Sequence, residues 1–145
     1  MQNKYTIHTD GGSRGNPGPA AIGVVIEGEG IEKKEYAEYI GVTTNNEAEY
    51  QAVVHALKKL KQIIGNTNAG NGEVLFCIDS ELLVKQLNYE YKVKEEGMQR
   101  LFLEVHNLRL DFKKVQFKHI LREKNAGADR LVNQALDREN SRLNL

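Results

Sequence analysis

Four carboxylates in this sequence stand where secondary-structure elements begin or end. Asp10 follows a strand-like segment, and Asp79 follows the unbroken apolar run Val74–Ile78. Glu49 and Asp129 each lie in the first turn of a segment with helical periodicity. Carboxylates that lie close together repel one another, so they must share a proton or hold cations. An all-oxygen set without clustered His or Cys suits Mg²⁺ or Mn²⁺ better than Zn²⁺.

Two such ions, held about 3.5–4 Å apart, support in-line phosphoryl transfer, because one activates water and the other stabilises the leaving oxygen. Each carboxylate also has a structural explanation. Asp10 precedes two glycines and can shape a turn, while Asn46-x-x-Glu49 fits a capping box. Asp79 and Asp129 can serve helix N-termini. Their joint position at element ends favours the metal-dependent chemistry.

Turn signals and periodicity predict the elements that must position these residues. Strand-forming residues predict three N-terminal strands, over 5–9, 20–27 and 31–40, whose short connections indicate an antiparallel meander. Residues 11–19 are so rich in turn-forming residues that they predict an irregular loop in which the first strand has ended. This interpretation places Asp10 at a strand terminus.

The rest of the chain alternates helices and strands. Apolar spacing predicts a helix of about four turns from Ala48 to Ile64, followed by a loop over 65–72. A strand buried on both faces, two helices, a strand over 115–121 and a final helix complete the order βββ-α-β-αα-β-α. This order predicts an α/β fold in which helices cover both faces of a mixed sheet. If the first and fourth strands are neighbours, the carboxylates that follow them share one rim.

Length and composition predict a soluble, cytoplasmic monomer with one core. The 145 residues are 40% hydrophobic and 28% charged, which predicts a single domain over 1–140 and a frayed tail over 141–145. With 20 basic and 20 acidic side chains, the sequence excludes a strongly basic nucleic-acid arm. The lone Cys77 excludes a disulfide framework. No apolar run approaches the ~20 residues of a membrane span.

Four segments carry a resemblance to a known family. They are TDGGSRGNPGP over 9–19, TNNEAEY over 44–50, Asp79-Ser80, and REKNAGAD over 122–129. In order and spacing they resemble ribonuclease H type 1 over about residues 4–139. The resemblance implies an RNase H-like fold with a five-stranded mixed sheet, a meander plus two parallel strands. It also implies two Mg²⁺ or Mn²⁺ ions and endonucleolytic cleavage of the RNA strand of RNA–DNA hybrids, leaving 3′-hydroxyl and 5′-phosphate ends.

The resemblance implies roles for individual residues. The metal-binding and catalytic carboxylates would be the four selected above. Backbone and amide groups would contact the minor groove of the hybrid, where 2′-hydroxyls distinguish RNA, and two further side chains would contact a phosphate of the DNA strand. The groove residues are Gly11, Gly12, Asn45 and Asn46, and the phosphate residues are Asn16 and Thr44. For the two adjacent asparagines, helix capping is the alternative.

Two features place the sequence in a branch that lacks the His-containing loop and the basic protrusion of many relatives. The stretch 122–129 holds no His, and Arg122 occupies the vacated position. Arg122 could contact the scissile phosphate, but it stays protonated and cannot act as a general base. The protrusion is reduced to Lys92 and Lys94 without Trp, which predicts modest, salt-dependent hybrid affinity.

Two other functions are weighed against the hybrid nuclease. One is a non-catalytic module of the same fold that binds hybrids or structured RNA, and the other is a related two-metal DNA nuclease. Clustered negative charge that faces phosphates would not improve the affinity of a pure binding module for nucleic acid. The TNN block and Asn16 favour hybrids over duplex DNA.

Overall fold

A computed structural model describes residues 3–143 and contains, within that range, five strands and four α-helices. The strands are β1 (Lys4–Ser13), β2 (Gly18–Gly28), β3 (Lys34–Thr43), β4 (Glu73–Ile78) and β5 (Lys114–His119). The helices are α1 (Asn45–Gly70), α2 (Glu81–Leu87), α3 (Glu96–Arg109) and α4 (Ala126–Leu143), and a 3₁₀ helix over Arg122–Lys124 precedes α4.

The five strands form one mixed sheet in the order β3-β2-β1-β4-β5. The first three strands pair antiparallel, whereas β4 runs parallel to β1 and β5 runs parallel to β4. This confirms the predicted meander followed by two parallel strands. The β1–β4 pairing ends at Thr9 opposite Ile78, so the carboxylates of Asp10 and Asp79 follow at the same level of the sheet.

Successive side chains of the central strands point to opposite faces of the sheet, and different helices pack on the two faces. Val24 and Ile26 of β2 join the large core that also contains side chains of α1, α2 and α3. Gly23, which precedes Val24, faces α4 so closely that a Cβ there would lie 2.2 Å from the Ala128 carbonyl oxygen. A smaller core between Val132 and the sheet completes that face. Helices therefore cover both faces, as predicted.

The first strand is longer than predicted. The glycine-rich residues Gly11–Ser13 continue β1 and pair antiparallel with Ala20–Ile22 of β2, so the predicted loop is reduced to residues 14–17. The prediction over 11–19 was wrong because ladder hydrogen bonds use backbone groups, and these glycines pair as well as any residue whose side chain would signal a strand. Asp10 consequently lies within β1, not at its end.

The predicted loop over 65–72 was also wrong in part. Helix α1 is interrupted at Gly65, whose φ of 82° lies in the left-handed region, and a further helical turn continues to Gly70. The Asn68 side chain donates to the Ile64 carbonyl at 2.8 Å and satisfies a group that the interruption leaves free. Gly65 interrupts the helix without ending it, because glycine adopts positive φ at little energetic cost.

The remaining element bounds differ by a few residues from those predicted. Strand β3 begins at Lys34 and strand β5 ends at His119. Helix α4 continues to Leu143, into the segment that the sequence predicts to be a tail, and positions 144 and 145 lie outside the described residues. In the part of the chain that the structure describes, no helix combines the length and apolarity needed to span a membrane.

Candidate metal and nucleic-acid site

Three carboxylates meet at the rim where the β1–β4 pairing ends. Oxygen atoms of Asp10, Glu49 and Asp79 lie within 4.8 Å of one another. Asp10 and Glu49 are buried, with 8% and 9% of their surfaces exposed, and Asp79 is half-buried. The Oε2 atom of Glu49 is buried without a hydrogen-bond partner among the described residues. An all-oxygen donor set with an unsatisfied carboxylate oxygen fits a hard divalent cation such as Mg²⁺ or Mn²⁺.

A close approach of β1 and α1 brings Glu49 beside Asp10. A Cβ on Gly11 would lie 2.4 Å from the backbone carbonyl carbon and oxygen of Ala48, so only glycine allows this separation. Thr44 caps α1 and accepts a hydrogen bond from the Glu47 backbone N–H at 3.2 Å. The capping-box explanation of Asn46 and Glu49 was therefore wrong, because the helix starts two residues earlier. Glu49, in the second turn, is left free for the cluster.

Burial and mutual repulsion disfavour the ionised form of Asp10 and Glu49 when no cation is bound. Burial, followed by the negative charge of Asp79, raises the pKa of Asp10 from 3.8 to about 7. Burial and the charge of Asp10 raise the pKa of Glu49 well above its ordinary range. The cluster consequently retains a proton near neutral pH, and a divalent cation would replace it as the compensating positive charge.

The fourth predicted carboxylate stands at the edge of this group. Asp129 lies in the first turn of α4, as predicted, and its side chain is 37% exposed. It lines the same groove, and its charge contributes to the raised pKa of Asp10. The guanidinium of Arg122, 84% exposed, lies 3.9 Å from the Asp129 carboxylate. Asp129 and Arg122 thus form the solvent-facing wall beside the three clustered carboxylates.

A groove of about 400 Å³ contains the cluster and most of the residues that the resemblance associates with substrate. Its walls include the four carboxylates together with Gly11, Gly12, Asn45, Asn46 and Arg122. The remaining two residues, Asn16 and Thr44, do not line the groove. The Asn16 side chain accepts a hydrogen bond from the Asn45 backbone N–H at 3.0 Å, which ties the β1–β2 turn to the start of α1.

The Asn45 side chain is already engaged within the protein. Its Oδ1 accepts from the Ser13 backbone N–H at 2.8 Å and from the Ser13 hydroxyl at 3.2 Å. These bonds fix the amide plane at the groove wall and leave the Nδ2 group as its donor toward a ligand. Asn45 does not cap α1, because Thr44 does.

Two further residues at the site were not assigned a role from the sequence: Arg14 lines the groove, whereas Asn125 does not line it and contacts the cluster through Asp79. Arg14 reaches from the β1–β2 turn to Asp137 of α4, with 2.6 Å between guanidinium and carboxylate. Asn125 precedes α4, is 1% exposed, and donates to the Asp79 carboxylate at 3.1 Å. No local signal distinguishes these long-range contacts from ordinary turn and helix-start chemistry, since their partners are far away in sequence.

Comparison with known proteins places the chain in a family. Residues 8–135 match a family described as reverse transcriptase-like. A bifunctional protein of Mycobacterium tuberculosis is 35% identical over 136 residues, which are 92% of this chain but 36% of that protein. Ribonuclease HI of Halobacterium salinarum is 36% identical over 129 residues, 88% of this chain and 62% of the relative. The chain thus spans about a third to three-fifths of the length of these relatives.

Solved structures give a similarity that covers both chains almost entirely. A ribonuclease H1 isolated from compost is 45% identical, with a TM-score of 0.86, and the match covers 95% of this chain and 99% of that one. The same enzyme has been solved in complex with an RNA/DNA hybrid, and that structure matches with the same identity and TM-score. Together with the five-stranded topology and the carboxylate cluster, these matches show that the chain belongs to the ribonuclease H type 1 family.

Proposed function

We propose that this protein is a metal-dependent endonuclease that hydrolyses the RNA strand of RNA–DNA hybrids, leaving 3′-hydroxyl and 5′-phosphate ends. The observation that carries the proposal is the cluster of Asp10, Glu49 and Asp79 at the base of an open groove. The hybrid complex of a relative at 45% identity supports the substrate class. A pure binding module would have no use for a cluster of three carboxylates that repel phosphate, two of them buried with a raised pKa.

Asp10, Glu49 and Asp79, with Asp129 at the edge, are the residues that would hold two Mg²⁺ or Mn²⁺ ions. When bound, these ions supply a water activated for attack and stabilise the charge on the leaving oxygen. The residues of the groove wall would orient the hybrid relative to the carboxylates. The groove wall presents glycine backbone and the Asn45 amide to the minor groove of the hybrid, where an RNA strand exposes its 2′-hydroxyls. No His lines the groove among the described residues, so its walls offer no imidazole for proton transfer.

The second strand of the hybrid has a surface available beside the groove. A cavity of about 580 Å³ shares Asn46 with the groove and extends along the segment between α2 and α3. Tyr91 and the exposed Lys92 and Lys94 line it together with Glu90 and Glu95, so an aromatic ring and two cations, offset by two carboxylates, face the DNA strand. With so few cations, we propose that hybrid binding is modest and that salt weakens it further.

The proposed activity is tested by incubating the full chain with an end-labelled RNA–DNA hybrid in EDTA, Mg²⁺ or Mn²⁺. We expect cleavage of the RNA strand only, dependent on either metal, with no cleavage of duplex DNA or duplex RNA. Product ends are identified by whether a polymerase extends them without phosphatase treatment. Equal cleavage of duplex DNA would favour a broader two-metal nuclease. Hybrid binding without cleavage in both metals would favour the non-catalytic module.

Arg122 is expected to contact the scissile phosphate through its exposed guanidinium. Replacing Arg122 by Gln removes a charge-assisted hydrogen bond worth about 1.5–3 kcal/mol, so kcat/KM for hybrid cleavage should fall by about tenfold or more. Arg122→Lys should retain part of the activity because it keeps the charge. The matched control is Arg130→Gln, since Arg130 is 62% exposed and pairs with Glu35 of β3. Equal kcat/KM in Arg122→Gln and Arg130→Gln would contradict this role.

A further inference from the structure

A buried amide joins the elements that carry the carboxylates. Asn125 lies directly before α4, and its Nδ2 donates to the Thr9 carbonyl at 2.8 Å and to the Asp79 Oδ2 at 3.1 Å. A backbone carbonyl can only accept a hydrogen bond, so the atom that faces Thr9 must be the NH₂ group. This fixes the orientation of the amide and aims its second proton at the Asp79 carboxylate.

The contacts of Asn125 reach the neighbourhoods of three different site residues. Thr9 is the last β1 residue paired with β4 and precedes Asp10 in the chain. Asp79 follows β4 and is bonded directly. The Asn125 carbonyl accepts the backbone N–H of Asp129 at 3.1 Å, so the same residue begins the first turn of α4. The side chain and backbone carbonyl of this one residue thereby link β1 beside Asp10, the end of β4 and the start of α4.

The buried amide of Asn125 lowers the stability of the fold. Its Oδ1 atom is buried and has no hydrogen-bond partner among the described residues, and the same holds for the hydroxyl of the adjacent Thr9. An unsatisfied buried acceptor costs about 1–3 kcal/mol. A residue whose purpose was packing alone would avoid that cost by being apolar. The amide therefore contributes something that an apolar side chain does not, namely a neutral donor for a carboxylate.

We propose that Asn125 is a positioning residue of the site, whose amide holds the Asp79 carboxylate in the orientation that binds a divalent cation. Because the amide is neutral, it restricts rotation of the carboxylate without cancelling the negative charge that attracts the metal. Outer contacts of this kind typically contribute about 10–100-fold to metal affinity or activity. The inference rests on the proposed function for its catalytic consequence, and on the hydrogen bonds for its effect on metal binding.

The experiment measures Mn²⁺ binding to the full chain without nucleic acid, from the loss of the free-ion electron paramagnetic resonance signal. Asn125→Ala should weaken Mn²⁺ binding about tenfold or more, and should raise the Mg²⁺ concentration that half-saturates hybrid cleavage by a similar factor. KM for the hybrid at saturating metal should not change, since Asn125 is 1% exposed and does not line the groove. If the Ala variant does not fold, Asn125→Ser is used, because Ser suits a helix start but cannot span both acceptors.

The matched control is Asn88→Ala, which removes an amide that donates to the Phe117 carbonyl of β5 at 3.1 Å, with no cluster carboxylate among its partners. The control should keep wild-type Mn²⁺ affinity even if urea unfolding shows a comparable loss of stability. Wild-type Mn²⁺ affinity in a folded Asn125 variant would overturn the inference, whatever its cleavage rate. Weakened Mn²⁺ binding together with a wild-type protein that leaves hybrids intact would overturn the proposed function but not the metal-positioning role.

Discussion

Asp10→Asn is expected to abolish hybrid cleavage and, at the same time, to stabilise the metal-free protein at pH 8. Asp10 interacts with both Glu49 and Asp79, so its loss removes a ligand that adjoins both other members of the cluster. A metal site contributes several kcal/mol of transition-state stabilisation, and a loss of about 4 kcal/mol lowers the rate about a thousandfold. Initial rates of RNA-strand cleavage at saturating Mg²⁺ measure this effect.

The stability gain follows from the raised pKa of Asp10. Its pKa is about 7 in the folded protein and 3.8 as the ordinary value, so the folded state binds this proton more tightly. The stability of the wild type should therefore fall as pH rises from about 4 to about 7, by up to about 4 kcal/mol for this group. Asn carries no charge at any pH. Its stabilising effect should be largest above pH 7 and should vanish near pH 4.

Urea unfolding in EDTA across this pH range tests the second effect. Asp111→Asn is the control, because that carboxylate pairs with Lys61 at 3.0 Å and lies just after α3, outside the cluster. The control should lose a little stability or none, and it should cleave normally. Adding Mg²⁺ should stabilise the wild type and leave Asp10→Asn nearly unchanged. Cleavage by folded Asp10→Asn at the wild-type rate would remove Asp10 from the site.

Gly11→Ala is expected to destabilise the fold by about 3 kcal/mol. The added Cβ would lie 2.4 Å from the Ala48 carbonyl group and 2.6 Å from the Glu49 backbone nitrogen, and neither backbone atom can rotate away. Strand β1 and helix α1 must therefore separate, which moves Glu49 away from Asp10. The variant should lose Mg²⁺-dependent stabilisation in addition to intrinsic stability.

The neighbouring glycine provides the matched control. A Cβ on Gly12 would lie 3.7 Å from Val132 and 3.8 Å from Asn45, which are ordinary contact distances. Gly12→Ala should therefore unfold in urea within about 1 kcal/mol of the wild type. Both variants are compared by their urea midpoints in EDTA and in Mg²⁺. Equal midpoints for the two alanine variants would show that β1 and α1 are not in the close contact described.

Much of the fold could be predicted because its signals are local. The apolar run Val74–Ile78 and the spacing along α1 each reflect which side chains face the core, and a short stretch of chain carries that pattern. Element types and order, the meander and the helices on both faces followed from such patterns. The carboxylates could be selected for the same reason, since each adjoins a local boundary signal.

Three details of the site depended on contacts between distant segments. Asp10 lies inside β1 because Gly11–Ser13 pair with β2, and glycine carries no side-chain signal for such pairing. Thr44, not Asn46, caps α1, because two overlapping capping patterns compete and tertiary packing selects one. The role of Asn125 depends on Thr9, which is 116 residues away in the chain.

The sequence by itself determined which chemistry is available: oxygen ligands, glycine-lined backbone, amides and the arginine at position 122. Only the tertiary structure decided how these groups meet. It brings Asp10, Glu49 and Asp79 within 4.8 Å and leaves Asp129 at the edge beside Arg122. The physical reason is that burial and mutual charge, which raise the pKa of Asp10 and Glu49, arise from the packing of β1 against α1 and β4. The residue types provide carboxylate ligands, and their packing places the negative charges so close together that a cation stabilises them.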